Sequence, residues 1–388
     1  MSAINRAGSD VVVIGAGAFG AWTAQHLSQG GARVTLVDGY GPGNSRSSSG
    51  DESRILRCGY GPDEIYSRFA RRSRELWCEL ETRHASGLPL WHPCGVIWTS
   101  STDDQYLAHT LATLKNGPYA AEVLDRDSLR TRYPRFETGD VVRALLEPDA
   151  GVLMARRSIQ ALATDLSRRG VHLARAHAVA PSTRGRMTAL RLTDGRELAA
   201  DRFVFACGAW LPAVFPELLA QKITPTRQVV MYFGTPPGGA QFTAARMPAW
   251  IDFGTGMYAI PDLEDRGVKV GIDTHGARFD PDTAERLLDG ESLQAARDWL
   301  RRRIPVLSGA PLVESRVCQY ENTSNGDFLI DRHPDHENVW LVGGGSGHGF
   351  KHGPAVGEYV AHLMAADTAP ERRFSLATNG TVVNRAIY

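Results

Sequence analysis

The sequence predicts an α/β fold in two parts, and three observations carry that expectation. Val11 to Asp38 reads as strand, glycine turn, helix and strand. Glycine-rich strand ends recur at Gly208 and at Gly343 to Gly349. The stretches between them are rich in strand-like runs. Together they describe a Rossmann-like, cofactor-binding domain assembled from residues 1–85, 151–220 and 315–388. The remaining residues, 86–150 and 221–314, are expected to form a substrate and catalytic domain on a mostly antiparallel sheet with helices.

Val11 to Ile14 is an apolar, β-branched run, as in a buried strand. Gly15, Gly17 and Gly20 follow at G-x-G-x-x-G spacing. The first allows a tight turn, the second lets backbone approach a pyrophosphate, and the third lets helix and strand pack closely. Phe19, Trp22 and Leu27 give the next segment an apolar helical face, which Gly30 and Gly31 end. Ala32 to Val37 is a second strand. Asp38 at its end is suited to accept both ribose hydroxyl hydrogens. The pattern predicts a dinucleotide site and leaves NAD and FAD both open.

Gly39 to Arg54 is a glycine- and serine-rich loop placed to pass over a bound cofactor. Helices are expected over 63–84, 102–116, 127–133, 158–169, 284–304 and 353–365. A turn and a strand are expected over 89–98, and further strands over 151–154, 171–180, 189–193, 202–207 and 339–343. Asp194-Gly195 marks a turn. The runs 226–234, 250–252, 256–260 and 267–274 suggest an antiparallel sheet.

Apolar content of 43% and charged content of 22% are ordinary for a soluble globular protein. Lys plus Arg and Asp plus Glu are each 43, so the formal net charge is zero. That balance argues against nucleic acid or an anionic membrane as partner. No apolar run approaches the ~18 residues needed to span a bilayer. The opening MSAINRAGSD is polar and offers no signal peptide, so a cytoplasmic location is expected. Cys58, Cys78, Cys94, Cys207 and Cys318 are widely spaced without a C-x-x-C pattern, which predicts neither a disulfide framework nor a metal site.

The second informative stretch runs from Cys318 to Lys351. Its strand, Val339 to Val342, ends in Gly343, Gly344 and Gly345, which let backbone come close to a flat ligand. A helix starting at Gly353 would aim N–H groups at that ligand, favouring the negative charge that a flavin gains on reduction. Lys351 follows Gly347, His348 and Gly349, and is weighed as a ligand contact against a solvated surface lysine. Arg54 and Arg57 would share a face on one helical turn; otherwise they are an exposed basic pair. Lys269 alternates away from Val268 and Val270 and, taken alone, reads as solvated. Cys207 and Cys318, taken alone, read as inert buried residues.

These motifs resemble the monomeric sarcosine oxidase family, which includes the N-methyltryptophan oxidases and related imino-acid oxidases. The resemblance covers nearly the whole chain, through VVVIGAGAFG, GDESRILRCGYG, GVLMARRSIQ, CGAW, TRQVV, DFLIDRHPDHENV and GSGHGFKHG. It implies FAD bound covalently through the sulfur of Cys318. The cofactor-binding set is then Gly15, Gly17, Gly20, Asp38, Ser49, Cys318, Gly344, Gly345, Gly347, His348, Gly349 and Lys351. Arg57 and Lys351 match the pair that holds the substrate carboxylate, a task suited to two fixed cations. Arg54 matches the arginine placed over the flavin ring. Lys269 matches the lysine that promotes reaction of reduced flavin with oxygen. Tyr258 and Tyr320 match tyrosines lining the substrate cavity.

The chain departs from the family in two places. The histidine pair that sarcosine oxidases carry before the arginine motif is replaced by Ser48, Ser49 and Gly50. Their histidine four residues after the oxygen-activating lysine is Asp273 here, with His275 two further on. An acid near the substrate favours a second cationic or hydroxylated group and puts sarcosine itself in doubt.

The resemblance implies an FAD-dependent oxidase of a secondary amine or cyclic imino acid that bears a carboxylate. Its products are an imine and hydrogen peroxide, its acceptor is molecular oxygen, and the chain is expected to be a monomer. A flavin-dependent dehydrogenase, a primary amino acid oxidase of the glycine or D-amino acid type, and a non-catalytic flavin-binding protein remain alternatives, with an NAD-dependent dehydrogenase further off.

Overall fold

The computed structural model describes residues 9–380 apart from 85, 116–120 and 183. Six strands form one sheet in the order Leu329–Arg332, Val339–Gly343, Arg202–Phe205, Asp10–Ile14, Arg33–Asp38 and His172–Arg175. The last five run parallel and Leu329–Arg332 is an antiparallel edge. Parallel strands need cover on both faces, which is why the inner strands carry apolar residues on both faces, with polar residues mostly at strand ends. Val11, Val13, Val34 and Leu36 join a core with Trp22 and Val356, from helices Ala18–Gln29 and Gly353–Ala366. Val12, Ile14, Phe203 and Phe205 face the opposite way, against Leu190 and Leu219.

A second sheet has eight strands in the order Leu312–Thr323, Ile223–Phe233, Val268–Ile272, Met257–Ile260, Ala249–Asp252, Val96–Ser100, Arg143–Glu147 and Glu122–Leu124. Only Ala249–Asp252 and Val96–Ser100 pair in parallel; the other neighbours are antiparallel. Helix Gly290–Arg303 packs Ala296, Trp299 and Leu300 into the core beneath it. A small sheet of Ser53–Leu56, Gly151–Met154 and Trp91–His92 completes the arrangement that positions the site. Among the described residues, no helix is long and apolar enough to cross a membrane.

Several elements differ from the sequence expectation. Arg54 lies in strand Ser53–Leu56, so Arg54 and Arg57 do not share a helical turn; pairing with Gly151–Met154 draws the segment into extended form. The run 89–98 supplies two short strands in two different sheets, Trp91–His92 and Val96–Ser100. Arg143–Glu147, Leu312–Thr323 and Leu329–Arg332 are strands that local pattern missed. Leu312–Thr323 is too rich in polar residues to read as buried, yet it pairs with Ile223–Phe233 along its length. The helix expected from 284 begins at Gly290, where Asp289 accepts the Ser292 N–H at 2.7 Å and so sets the N-terminus. The helix expected over 102–116 is Gln105–Lys115, and Asn116 lies outside the described residues.

Candidate active site

A cavity with about 1310 Å³ of empty space, partly continuous with solvent, opens at the carboxyl ends of the parallel strands. Open α/β sheets place ligands there. Gly15 has φ +105°, and a Cβ on it would lie 2.2 Å from the Ala206 carbonyl oxygen, so only glycine makes this turn. Gly17 lines the cavity. Gly20 stands behind the wall, where a Cβ would approach the Gly15 carbonyl oxygen to 1.9 Å. Ala16 donates its N–H to Asp38 Oδ2 at 2.8 Å, and Ala18 donates to Ser49 Oγ at 3.0 Å. The N–H groups of Tyr40 and Gly41 hold Asp38 Oδ1 at 2.9 and 2.7 Å. One end of the cavity carries Tyr40, His177 and Trp210; Arg54, Tyr320 and Gly347 also line it.

Glu321 lines the same cavity beside Gly345. Its Oε2 has no hydrogen-bond partner among the described residues, and burial pushes its pKa up to about 7. The bare glycine turn, the exposed start of a helix and the oriented acid fit a dinucleotide such as FAD. The helix start at Gly17 and Phe19, which line the cavity, would meet its phosphates, and Asp38 a ribose.

A second cavity shares Arg54, Tyr320, Gly347 and Phe350 with the first. Its wall adds Arg57, Tyr258, Asp273, Cys318, His348 and Lys351. Arg57 is buried, with its guanidinium carbon 4.2 Å from the Tyr60 ring centre and 4.4 Å from that of Trp98. Its Nη1 donates to the Gly59 carbonyl, while Nη2 has no hydrogen-bond partner among the described residues. Lys351 Nζ donates to Tyr60 Oη at 2.9 Å and to the His348 carbonyl at 3.1 Å. Burial, with Arg57 nearby, pulls its pKa well below the ordinary lysine range, and Asp273 opposes that pull. His352 Nε2 is 2.7 Å from the same tyrosine oxygen. Asp273 Oδ1 accepts from Tyr320 Oη at 2.6 Å, and burial pushes its carboxyl upward. Arg57, the Lys351 amine and one acid around a partly open pocket suit a small molecule with a carboxylate and a hydrogen-bond donor.

Cys318 is buried on the wall of the second cavity, with Sγ 3.5 Å from Arg54 Nη2. Behind that wall Lys269 is fully buried, which corrects its reading as solvated. Its Nζ donates to Asp51 Oδ2 at 2.5 Å and to the Ser53 carbonyl at 2.9 Å. Arg54 pairs with the same Asp51 oxygen, and Tyr232 Oη reaches Oδ1 at 3.2 Å. Burial opposes ionisation of Asp51, but Lys269 and Arg54 outweigh it and hold its carboxyl well below the usual carboxylate range. Burial pulls Lys269 down to about 8, against the pull of Asp51.

The expected residues therefore fall into three places. Gly15, Gly17, Asp38, Ser49, Gly345, Gly347 and Gly349 line the first cavity. Arg57, Tyr258, Asp273, Cys318, His348 and Lys351 line the second, while Arg54, Tyr320 and Gly347 line both. Gly20, Gly344 and Lys269 stand behind the walls. Lys351, weighed as a surface residue, is buried. Sequence reasoning missed Asp51, Tyr60, Glu147, Glu321 and His352. The acid of GDESR, three residues before Arg54, was a usable signal for Asp51, and Tyr60 and His352 lie within the family motifs GDESRILRCGYG and GSGHGFKHG; Glu147 and Glu321 carried no local pattern.

The fold and the two adjoining cavities define a class, an enzyme that holds a dinucleotide beside a charged, partly open pocket. Residues 10–363 match the family model for FAD dependent oxidoreductase, and the chain belongs to that family. Within it, a monomeric sarcosine oxidase of Streptomyces avermitilis is 33% identical over 92% of this chain and 94% of its own. An N-methyl-L-tryptophan oxidase of Salmonella heidelberg is 28% identical over 92% of this chain and 95% of its own. An amadoriase I mutant from Aspergillus fumigatus superposes with a TM-score of 0.81 at 21% identity, covering 98% of this chain and 92% of that one, which shows the shared fold.

Proposed function

We propose that this protein oxidises a secondary amine or cyclic imino acid carrying a carboxylate, yielding an imine and hydrogen peroxide. The observation that carries the reading is the buried pair Arg57 and Lys351 on one wall of the pocket that adjoins the dinucleotide cavity. Bound FAD supplies a two-electron acceptor. The protein's residues orient the substrate and set the field around it. Arg57 and Lys351 hold the carboxylate, Tyr258 and Tyr320 wall the pocket, and Asp273 faces the rest of the molecule. Arg54 presents its guanidinium to the cofactor side. Lys269 provides positive charge where oxygen becomes reduced.

Gly15, Gly17, Gly20, Asp38, Ser49, Gly344, Gly345, Gly347, His348 and Gly349 shape the FAD site. Cys318 would anchor FAD covalently through its sulfur, with a methyl group of the flavin benzenoid ring as the point of attachment. The Arg54 contact at 3.5 Å, which sets a fixed cation beside the sulfur, supports this role. In the same reading residues 1–85, 151–220 and 315–388 carry the cofactor and 86–150 and 221–314 the substrate, and the chain works as a cytoplasmic monomer. The separation of the parallel from the antiparallel sheet supports most of this division, although Leu312–Thr323 pairs as the edge strand of the antiparallel sheet.

A peroxide-coupled screen of N-methyl amino acids, cyclic imino acids and glycated amino acids tests the function. At least one should give peroxide in step with oxygen uptake. Flavin bleaching without peroxide would identify a dehydrogenase, and no bleaching with any of them would defeat the reading. Attachment is tested separately: acid-precipitated protein should stay yellow, and Cys318→Ala should lose the colour on precipitation. A colourless wild-type pellet would refute the covalent bond.

A further inference from the structure

Glu147 is a buried carboxylate at the end of strand Arg143–Glu147, outside both cavity walls. Its Oε2 accepts the Cys58 N–H at 2.7 Å, and both oxygens share the Gly59 N–H at 3.2 Å. Its Oε1 also accepts from Trp98 Nε1 at 2.9 Å. Each of these partners touches or adjoins Arg57. The Gly59 carbonyl takes the Arg57 Nη1 hydrogen, the Trp98 ring lies on one side of the guanidinium, and Tyr60, next in the chain, supplies the other ring. The packing at Gly59 is tight: a Cβ there would come within 2.4 Å of Thr110 Cγ2 and 2.8 Å of Glu147 Oε1.

The charges agree with the geometry. Glu147 acts through space on Arg57, on Lys351 and on the Cys58 thiol, favouring positive charge on the two cations and opposing ionisation of the thiol. Three neutral donors satisfy the carboxylate, so it requires no direct ion pair, and Arg57 Nη2 stays uncommitted.

We propose that Glu147 is the positioning residue of the substrate-carboxylate site, bracing the Cys58–Gly59 segment and the Trp98 ring between which Arg57 is held. This rests on the reading of Arg57 as a carboxylate ligand. It makes the antiparallel sheet, rather than the segment that carries Arg57, the part that aims the guanidinium.

The test titrates the oxidised holoenzyme with acetate and follows the visible absorption of the bound flavin. Glu147→Gln keeps the shape but turns an amide N–H toward one of the three donors. It should raise the acetate Kd about tenfold, and raise KM by a similar factor while kcat changes less than about twofold. In an Arg57→Ala background the same substitution should add nothing, because there is no guanidinium left to aim. An equal effect in both backgrounds, or none in either, overturns the proposal. Trp98→Phe, which keeps a ring but removes one donor, supplies a milder variant in case Glu147→Gln folds poorly; it should raise the acetate Kd a few-fold, again only when Arg57 is present. If Arg57→Ala leaves acetate binding intact, the carboxylate role of Arg57 itself fails, and the positioning role falls with it.

Discussion

Lys269 shows what burial does to one side chain. Its ammonium sits 2.5 Å from Asp51 with almost no surface exposed, and its pKa is pulled to about 8. The charged form is therefore dominant at neutral pH and is lost as pH rises through about 8. If that charge assists reduction of oxygen, the rate of flavin reoxidation should fall over that interval while reduction by substrate does not follow it. Lys269→Met should slow reoxidation at pH 7 by two or more powers of ten, about 3 kcal/mol of barrier, and leave reduction nearly unchanged. Stopped-flow traces of the two half-reactions separate these outcomes, and equal reoxidation in the variant would remove the lysine from the mechanism.

At the scale of elements, the dinucleotide cavity depends on how closely one helix approaches one strand. Gly20 sits in helix Ala18–Gln29 against the Gly15 turn, and the 1.9 Å approach leaves no room for a methyl group. Both partners are backbone, so the conflict cannot be relieved by a rotamer change. Gly20→Ala should cost about 3 kcal/mol of stability and release FAD from a Cys318→Ala protein. Gly290→Ala, at the start of helix Gly290–Arg303 with open space around it, should change stability by less than about 0.5 kcal/mol. Paired urea melts compare the two. Comparable losses at both positions would mean that glycine content, not the close approach, sets the cost.

Across the whole molecule, Asp51 ties the loop after the second parallel strand to the antiparallel sheet through Lys269 and to the small sheet through Arg54. Removing the carboxylate leaves two cations with one buried counter-ion fewer. Asp51→Asn should therefore destabilise the folded chain by about 3 kcal/mol at pH 7. Because the folded-state pKa of Asp51 is depressed, its contribution is complete above the ordinary aspartate range, roughly pH 4, and is lost as pH falls below it. The gap between wild type and variant should accordingly narrow in melts taken from pH 5 down to pH 2. A gap that stays constant would show that shape, not charge, is what the substitution disturbs.

The sequence by itself determined the elements whose chemistry is local. Val11 to Asp38 was legible because strand, turn and helix follow one another and each glycine has its own steric duty; Gly353–Ala366 and Glu64–Arg83 were legible from their periodicity. The resemblance located Cys318, Arg57, Lys351 and Asp273 by motif, and the fold brings all four to one cavity. Tertiary structure alone decided what lies between them. Arg54 became a strand residue because Gly151–Met154, a hundred residues away, offered a hydrogen-bonding partner. Lys269 became an interior cation because Asp51 arrived from another part of the chain to neutralise it. Glu147 acquired its place when the segment after Leu56 met the antiparallel sheet. Periodicity records which face a residue shows its immediate neighbours. Burial of a charge is set by what packs on that face from elsewhere, and only the folded chain holds that information.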